Sequence, residues 1–242
     1  MHTQNNNICV VILNGGLSSR MGGGIKSFEK FNNKTIFDRI LERITPQAKH
    51  IIINSNEDDN KFNEYNLPII KDKLTGHLGP LAGIHASLHW IKCNIPQIEW
   101  LVSVPSDTPF FPKDLVNKLF LKVLDNNKKI VLAKSNDKLH PVIGLWKSDL
   151  LEDLEENLKN GTRKIMLWAQ CHPFDTQNFD QNFFDRFFGQ NRAKLCQKCA
   201  KNVSKCTKKV PKKCQKCVKM CQNVSKCVKM CQKSAKKVPK KC

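Results

Sequence analysis

Short runs of β-branched and aliphatic residues recur along the first two thirds of the chain: ICVVIL (8 to 13), HIIIN (50 to 54), LPII (67 to 70), EWLVSV (99 to 104), KIVLA (129 to 133) and PVIGLW (141 to 146). Runs of this length that do not alternate with polar residues predict strands buried on both faces. Between them the apolar residues change to helical spacing. Ile36, Phe37, Ile40, Leu41 and Ile44 share one face of 35 to 44, and Leu81, Ile84, Leu88 and Ile91 share one face of 79 to 92. Further helices are predicted from Lys113 to about Leu124 and from Ser148 to Asn160, the latter closed by Gly161. Strand and helix alternate, so the expected fold is α/β, a mainly parallel sheet with helices on both faces. Its ligand site belongs at the carboxyl ends of the strands.

From about Phe174 the pattern decays, and from Lys194 repeats replace it: NVSKC at 202 and 223, CVKMCQ at 217 and 227, and KKVPKKC at 208 and 236. The 242-residue chain carries a formal charge of +20, but seventeen of its lysines lie in 194 to 242 with no acidic residue, which leaves +3 for everything before them. The basic charge therefore describes the tail. The earlier part is nearly neutral, with three scattered cysteines, Cys9, Cys93 and Cys171, as expected of a reduced cytosolic enzyme. The predicted organisation is a domain over 1–190 and a low-complexity tail over 191–242. The tail is expected to be disordered, because it lacks the apolar surface to offset an ordering cost of roughly 1 to 2 kcal/mol per residue. Its C-x₂-C pairs at 196 and 214 and C-x₃-C pairs at 217 and 227 overlap zinc-ligand spacings. It has no aromatic residue for base stacking and no arginine after Arg192, so nucleic acid is not an expected partner. MHTQNNN has no charged n-region and no run of about 18 apolar residues occurs, so neither a signal peptide nor a membrane span is expected and the location is cytoplasmic.

The candidate chemistry begins directly after the first predicted strand, at LNGGLSSRMGGGIK (13 to 26). Glycines let backbone N–H groups approach phosphate oxygens, and Arg20 and Lys26 can neutralise charge on a triphosphate. The spacing is that of neither a Walker A loop nor a G-x-G-x-x-G fingerprint. Asp107 ends EWLVSVPSD, where such a sheet opens to its ligand; a carboxylate there can ligate Mg²⁺ or cap the turn before Pro109. His85 and His89 have metal-ligand spacing without a third ligand and are expected at the surface or its boundary. His140 before Pro141 reads as structural. Arg163 and Lys164, at a helix start, are either solvated or face an acceptor phosphate.

The stretch 13 to 26 resembles the L-x-G-G-x-S-x-R-M-G signature, followed by a lysine, of the molybdenum cofactor guanylyltransferase family. The resemblance continues through INSN (53 to 56), IIKDKLTGHLGPLAGI (69 to 84), the Asp-Thr-Pro turn of VPSDTPFFP (104 to 112), HPVIGLW (140 to 146) and NGTRKIMLW (160 to 168), covering about 8 to 175. It implies a Rossmann-like fold of the nucleotide-diphospho-sugar transferase type. It also implies a reaction that joins GTP to molybdopterin with Mg²⁺ and releases pyrophosphate. By the same resemblance Leu13, Asn14 and Gly15 contact the nucleotide through the strand end, and Arg20 and Lys26 meet the phosphates. Asn54 and Asp72 hold the guanine nucleoside, and Asp107 binds the metal, with Lys26 and Asp107 the catalytic candidates. An acidic side chain suits guanine, which presents N1–H and N2–H₂ donors together. Molybdoenzymes or cofactor-insertion proteins are implied as recipients of the product.

Three departures stand out, the first being GGG at 22 to 24, which adds flexibility before Lys26. Asn14 occupies a position that is usually Ala in the family. In place of the family's closing strand and N-x-N-T-P-x-D/E segment, which helps build the acceptor side of the site, the chain has FDQNFFDRFFGQNR at 179 to 192. Two other readings stay open on the sequence: the same fold transferring CMP or serving a sugar phosphate, and a catalytically damaged relative whose tail binds zinc or a polyanion.

Overall fold

In chain order the elements are β1 (Ile8–Asn14), a 3-10 turn (Lys26–Phe28), β2 (Lys30–Phe31), β3 (Lys34–Thr35), α1 (Ile36–Ile44), β4 (His50–Ser55), a second 3-10 turn (Asn60–Tyr65) and β5 (Ile69–Ile70). They continue as α2 (Pro80–Asn94), β6 (Trp100–Pro105), α3 (Leu115–Asn126), β7 (Ile130–Ser135), β8 (Lys138–Lys147), a 3-10 turn (Ser148–Leu150), α4 (Leu151–Lys159), α5 (Ile165–Ala169) and β9 (Phe174–Asn178). This computed structural model describes residues 7–14, 26–31, 33–57, 60–74, 76, 79–126 and 128–179. All of these fall within the first of the two units into which the chain divides, Met1–Phe184. The tail from 191, and the domain boundary drawn at 190, lie outside the described residues.

A strand of consecutive apolar residues has no face to offer water, and β1 is buried along its apolar length in the interior of a seven-stranded sheet ordered β5-β4-β1-β6-β8-β7-β9. The pairs β4–β5, β1–β4, β1–β6 and β7–β9 are parallel, whereas β8 runs antiparallel to both β6 and β7. The sheet is therefore mainly parallel, as expected. Alternate β1 side chains serve two cores. Ile8, Val10 and Ile12 pack with Phe37, Ile40 and Ile44 of α1 and Leu115, Leu119 and Val123 of α3. Cys9, Val11 and Leu13 pack with Leu81, Ile84, Leu88 and Ile91 of α2 and with Leu151, Leu154 and Leu158 of α4. Burial pushes the Cys9 thiol up to about 12, so it behaves as a small apolar side chain.

Local signals fix the helix ends. At α1 a capping box pairs Thr35 Oγ1 with the Asp38 N–H and Asp38 Oδ2 with the Thr35 N–H, both at 2.9 Å. Gly161 follows α4 as expected: its N–H donates to Leu158 O and the Thr162 N–H to Asn157 O, satisfying the last turn's carbonyls. The predicted LPII strand shrinks to two residues. The decay of pattern from Phe174 is corrected: β9 lies there, with Phe174 to Asn178 in parallel register against Ile130 to Lys134. An edge strand held by backbone bonds needs little apolar content, and FDTQN has one large apolar residue.

His85 also corrects an expectation. It lies inside α2 with a side chain 2% exposed, and neither ring nitrogen has a hydrogen-bond partner among the described residues. Glu155 Oε2 stands 3.6 Å from Nε2, beyond hydrogen-bonding reach. Burial lowers the His85 pKa below its ordinary 6.5; Glu155 opposes this, and His89 and Lys73 add to it. The unfolded chain then binds a proton that the folded chain resists, so stability contributed here is full above pH 6.5 and declines as pH falls below it. Urea titrations across pH 7.5 to 5 should show a shallower loss for His85→Leu than for the parent, and parallel curves would remove His85 as the cause.

The antiparallel half is pinned by Ser103, whose Oγ donates to Val142 O at 2.7 Å and accepts from Trp146 Nε1 at 2.8 Å. Removing the hydroxyl strands a buried indole N–H. Ser103→Ala should therefore lower unfolding free energy by about 1 to 3 kcal/mol in chemical denaturation.

Candidate functional site

The carboxyl ends of β4, β1 and β6 lie side by side, with Leu13 in register with Asn54 and Pro105, and Asn14 with Ser55. The chain passes from β1 to β4 on one flank and returns to β6 on the other, so the strand order reverses beside β1. That is where an open α/β sheet forms its ligand crevice. Five of the predicted residues, Leu13, Asn14, Asn54, Asp72 and Asp107, are carried by these strand ends and the segments that follow β5 and β6.

Asn14 sits at the centre. Its Oδ1 accepts from Ser27 Oγ at 3.1 Å and from Ser106 Oγ at 2.9 Å, and its Nδ2 donates to Ser55 Oγ at 3.3 Å. Ser106 is tied a second time, its N–H donating to Leu13 O at 3.1 Å. Asp107 follows at once; it is exposed, and its Oδ1 accepts from Thr108 Oγ1 at 3.1 Å. The turn-capping and metal-binding uses of Asp107 are thus compatible, because a carboxylate has about four lone-pair positions.

A second cluster surrounds Asp72. Its Oδ1 accepts from Asn54 Nδ2 at 2.9 Å and its Oδ2 from Asn56 Nδ2 at 2.7 Å, while its own N–H donates to Asn56 Oδ1 at 2.8 Å. Asn54 is buried at 4% exposure and Asp72 is half-buried, so the carboxylate is held in place with lone pairs left over.

Helix α2 closes over the Asn54–Asp72 cluster, lying against Asn54 and Leu13. Gly79 is its N-cap with φ 70° and ψ −162°, Pro80 is the first helical residue, and no side chain caps the first turn. The positive φ suits glycine, and the uncapped N–H groups make the helix start electropositive. At Gly83 a Cβ would lie 2.3 Å from Asn54 Oδ1 and 2.7 Å from Leu13 Cδ2, so only glycine admits this close approach.

Gly15 and Arg20 lie outside the described residues, and Lys26 is described only as the first residue of its 3-10 turn. That turn is seated by Phe28, whose ring lies 4.8 Å from that of Phe62 and 6.1 Å from that of Phe37. His140 Nε2 is 2.8 Å from Ser135 Oγ, a contact within the β7–β8 hairpin, in keeping with a structural role. Arg163 is spent on local backbone, donating to Leu158 O and Thr162 O, while exposed Lys164 is the N-cap of α5. Among the described residues no group of three or more His, Cys, Asp or Glu side chains could hold a metal ion, and no helix is long and apolar enough to cross a membrane. Residue-by-residue reading missed Ser27, Ser55, Asn56 and Ser106. Three of these stand inside the INSN and VPSD motifs, close to Asn54 and Asp107.

Residues 10–173 match the family described as the MobA-like NTP transferase domain. A molybdenum cofactor guanylyltransferase from Nitrobacter hamburgensis is 38% identical over 185 residues, 76% of this chain and 88% of the other. Another, from Shewanella sp. strain MR-4, is 34% identical over 81% of this chain and 96% of its own length. The crystal structure of a molybdopterin-guanine dinucleotide biosynthesis protein A from Archaeoglobus fulgidus shares the fold, with a TM-score of 0.57, 20% identity, and coverage of 75% of this chain and 87% of that one.

The Gly83 contact gives a direct test. Gly83→Ala should cost about 1 to 3 kcal/mol of stability in urea denaturation, as an overpacked contact does. Unchanged stability would mean that the start of α2 can shift without penalty.

Proposed function

Because the chain belongs to the MobA-like NTP transferase family, we propose that it transfers GMP from GTP to the terminal phosphate of molybdopterin, releasing pyrophosphate and forming the guanine dinucleotide form of the cofactor. The observation that carries this reading is the convergence of Asn14, the Asn54–Asp72 pair and Asp107 at the strand ends of a chain 38% identical to a molybdenum cofactor guanylyltransferase.

In this reading an oxygen of the acceptor phosphate attacks the α-phosphorus of GTP. The bond from that phosphorus to the bridging oxygen breaks, and pyrophosphate leaves with the electron pair. A phosphate is already a nucleophile, so the site needs no strong base, and catalysis rests on aligning two anions and balancing their charge. Leu13, Asn14 and Gly15 meet the nucleotide at the strand end. Arg20 and Lys26 face the phosphates, and the Asn54-held carboxylate of Asp72 accepts from the guanine edge. Asp107 suits Mg²⁺: it is an exposed hard-oxygen donor at a strand end, and Mg²⁺ commonly takes one or two protein carboxylates, with phosphates and waters filling the rest. Bound there, Mg²⁺ would supply positive charge to the phosphates around the reacting phosphorus.

Thermal denaturation of the full chain with Mg²⁺ and GTP, CTP or ATP tests the reading. GTP at 100 times its dissociation constant should stabilise by about 2.7 kcal/mol, CTP and ATP by much less, and Asp107→Ala should reduce the GTP effect. A CTP-selective shift would point to cytidylyl transfer instead, and no shift with any nucleotide would mean that the site does not bind its donor.

A further inference from the structure

We propose that the Asn14 side chain is the positioning residue of this site, tying the Lys26 turn and the Asp107 turn to the sheet so that the backbone carrying these two residues is held in one geometry. The inference rests on the nucleotidyl-transfer reading and deepens it. The nucleotide contact assigned to Asn14 belongs to the strand end; the hub belongs to its amide.

The amide oxygen has two lone pairs, and both are used, by Ser27 Oγ at 3.1 Å and Ser106 Oγ at 2.9 Å. The amide nitrogen donates to Ser55 Oγ at 3.3 Å, which also accepts from the Glu57 N–H at 3.3 Å. Three segments distant in sequence thus meet on one side chain. Ser27 and Ser55 are buried, so neither can exchange this partner freely for water. Lys26 directly precedes Ser27 and Asp107 directly follows Ser106, so each charged candidate is one peptide away from a bond to Asn14. Alanine, usual at this position in the family that the motif resembles, could make none of the three bonds. Misplacing a group by about 1 Å can cost about 10²-fold in rate without weakening substrate binding equally. The signature of lost positioning is therefore a fall in kcat and a greater metal requirement, not a rise in KM.

The experiment compares the full chain with Asn14→Ala, Ser106→Ala and the double variant, measuring pyrophosphate release from GTP and molybdopterin over a range of Mg²⁺ concentrations. Each single variant should lower kcat by about tenfold and raise the Mg²⁺ needed for half-maximal rate several-fold, with the KM for GTP within about twofold. The double variant should be no slower than Asn14→Ala, because both changes break the same link. Parent-like kcat and Mg²⁺ dependence in the single variants, or losses that multiply in the double, overturn the proposal. If the parent chain itself turns over no GTP, the function reading fails, and the hub is judged by amide hydrogen exchange alone. Exchange should then quicken at 26–28 and 105–109 in Asn14→Ala, and at 105–109 alone in Ser106→Ala. Unchanged exchange in those segments overturns the hub. Should Asn14→Ala lose protection throughout, Ser106→Ala decides by whether its loss stays confined to 105–109.

Discussion

The start of α2 can lie against the ends of β1 and β4 only because Gly83 has no side chain. That contact sets where Leu13 and Asn54 stand, and Asn54 in turn holds Asp72. The same approach seats α2 between the sheet and α4, which is why the helix is buried around most of its circumference and carries an interior histidine. One missing methyl group thus links the core on one face of the sheet to the chemistry at its edge.

The parallel half of the fold was legible because continuous apolar runs admit few alternatives to strands buried on both faces. The direction of β8 was not legible from its hydrophobic pattern, since antiparallel and parallel strands can share it. A signal was nevertheless present: Asn136 and Asp137, between two apolar runs, adopt φ of 48° and 59°, as a tight hairpin turn requires. β9 was hidden for the opposite reason. Its order comes from pairing with β7 and not from its own side chains, so composition alone does not announce it.

At the strand ends Asp72 and Asp107 were legible as candidates because few structural duties call for carboxylates there, whereas Gly15 and Arg20 lie outside the described residues. The serines were not legible, because a hydroxyl beside a turn is commonplace until the geometry shows three of them converging on one amide. The described part of the site is therefore built largely from neutral dipoles held by one another, with Asp72 and Asp107 as its carboxylates. Fixed dipoles need little reorganisation when charge appears beside them.

The two margins of the sheet bear on how the protein behaves at high concentration. An open strand edge invites pairing with a second chain, and each margin here discourages it differently. On one side β5 is only two residues long and is preceded by Pro68, which has no N–H to donate. On the other side β9 is polar along most of its length, and its Asp175 pairs with Lys122 of α3. Among the described residues neither margin offers the long, flat, apolar ladder from which aggregates grow.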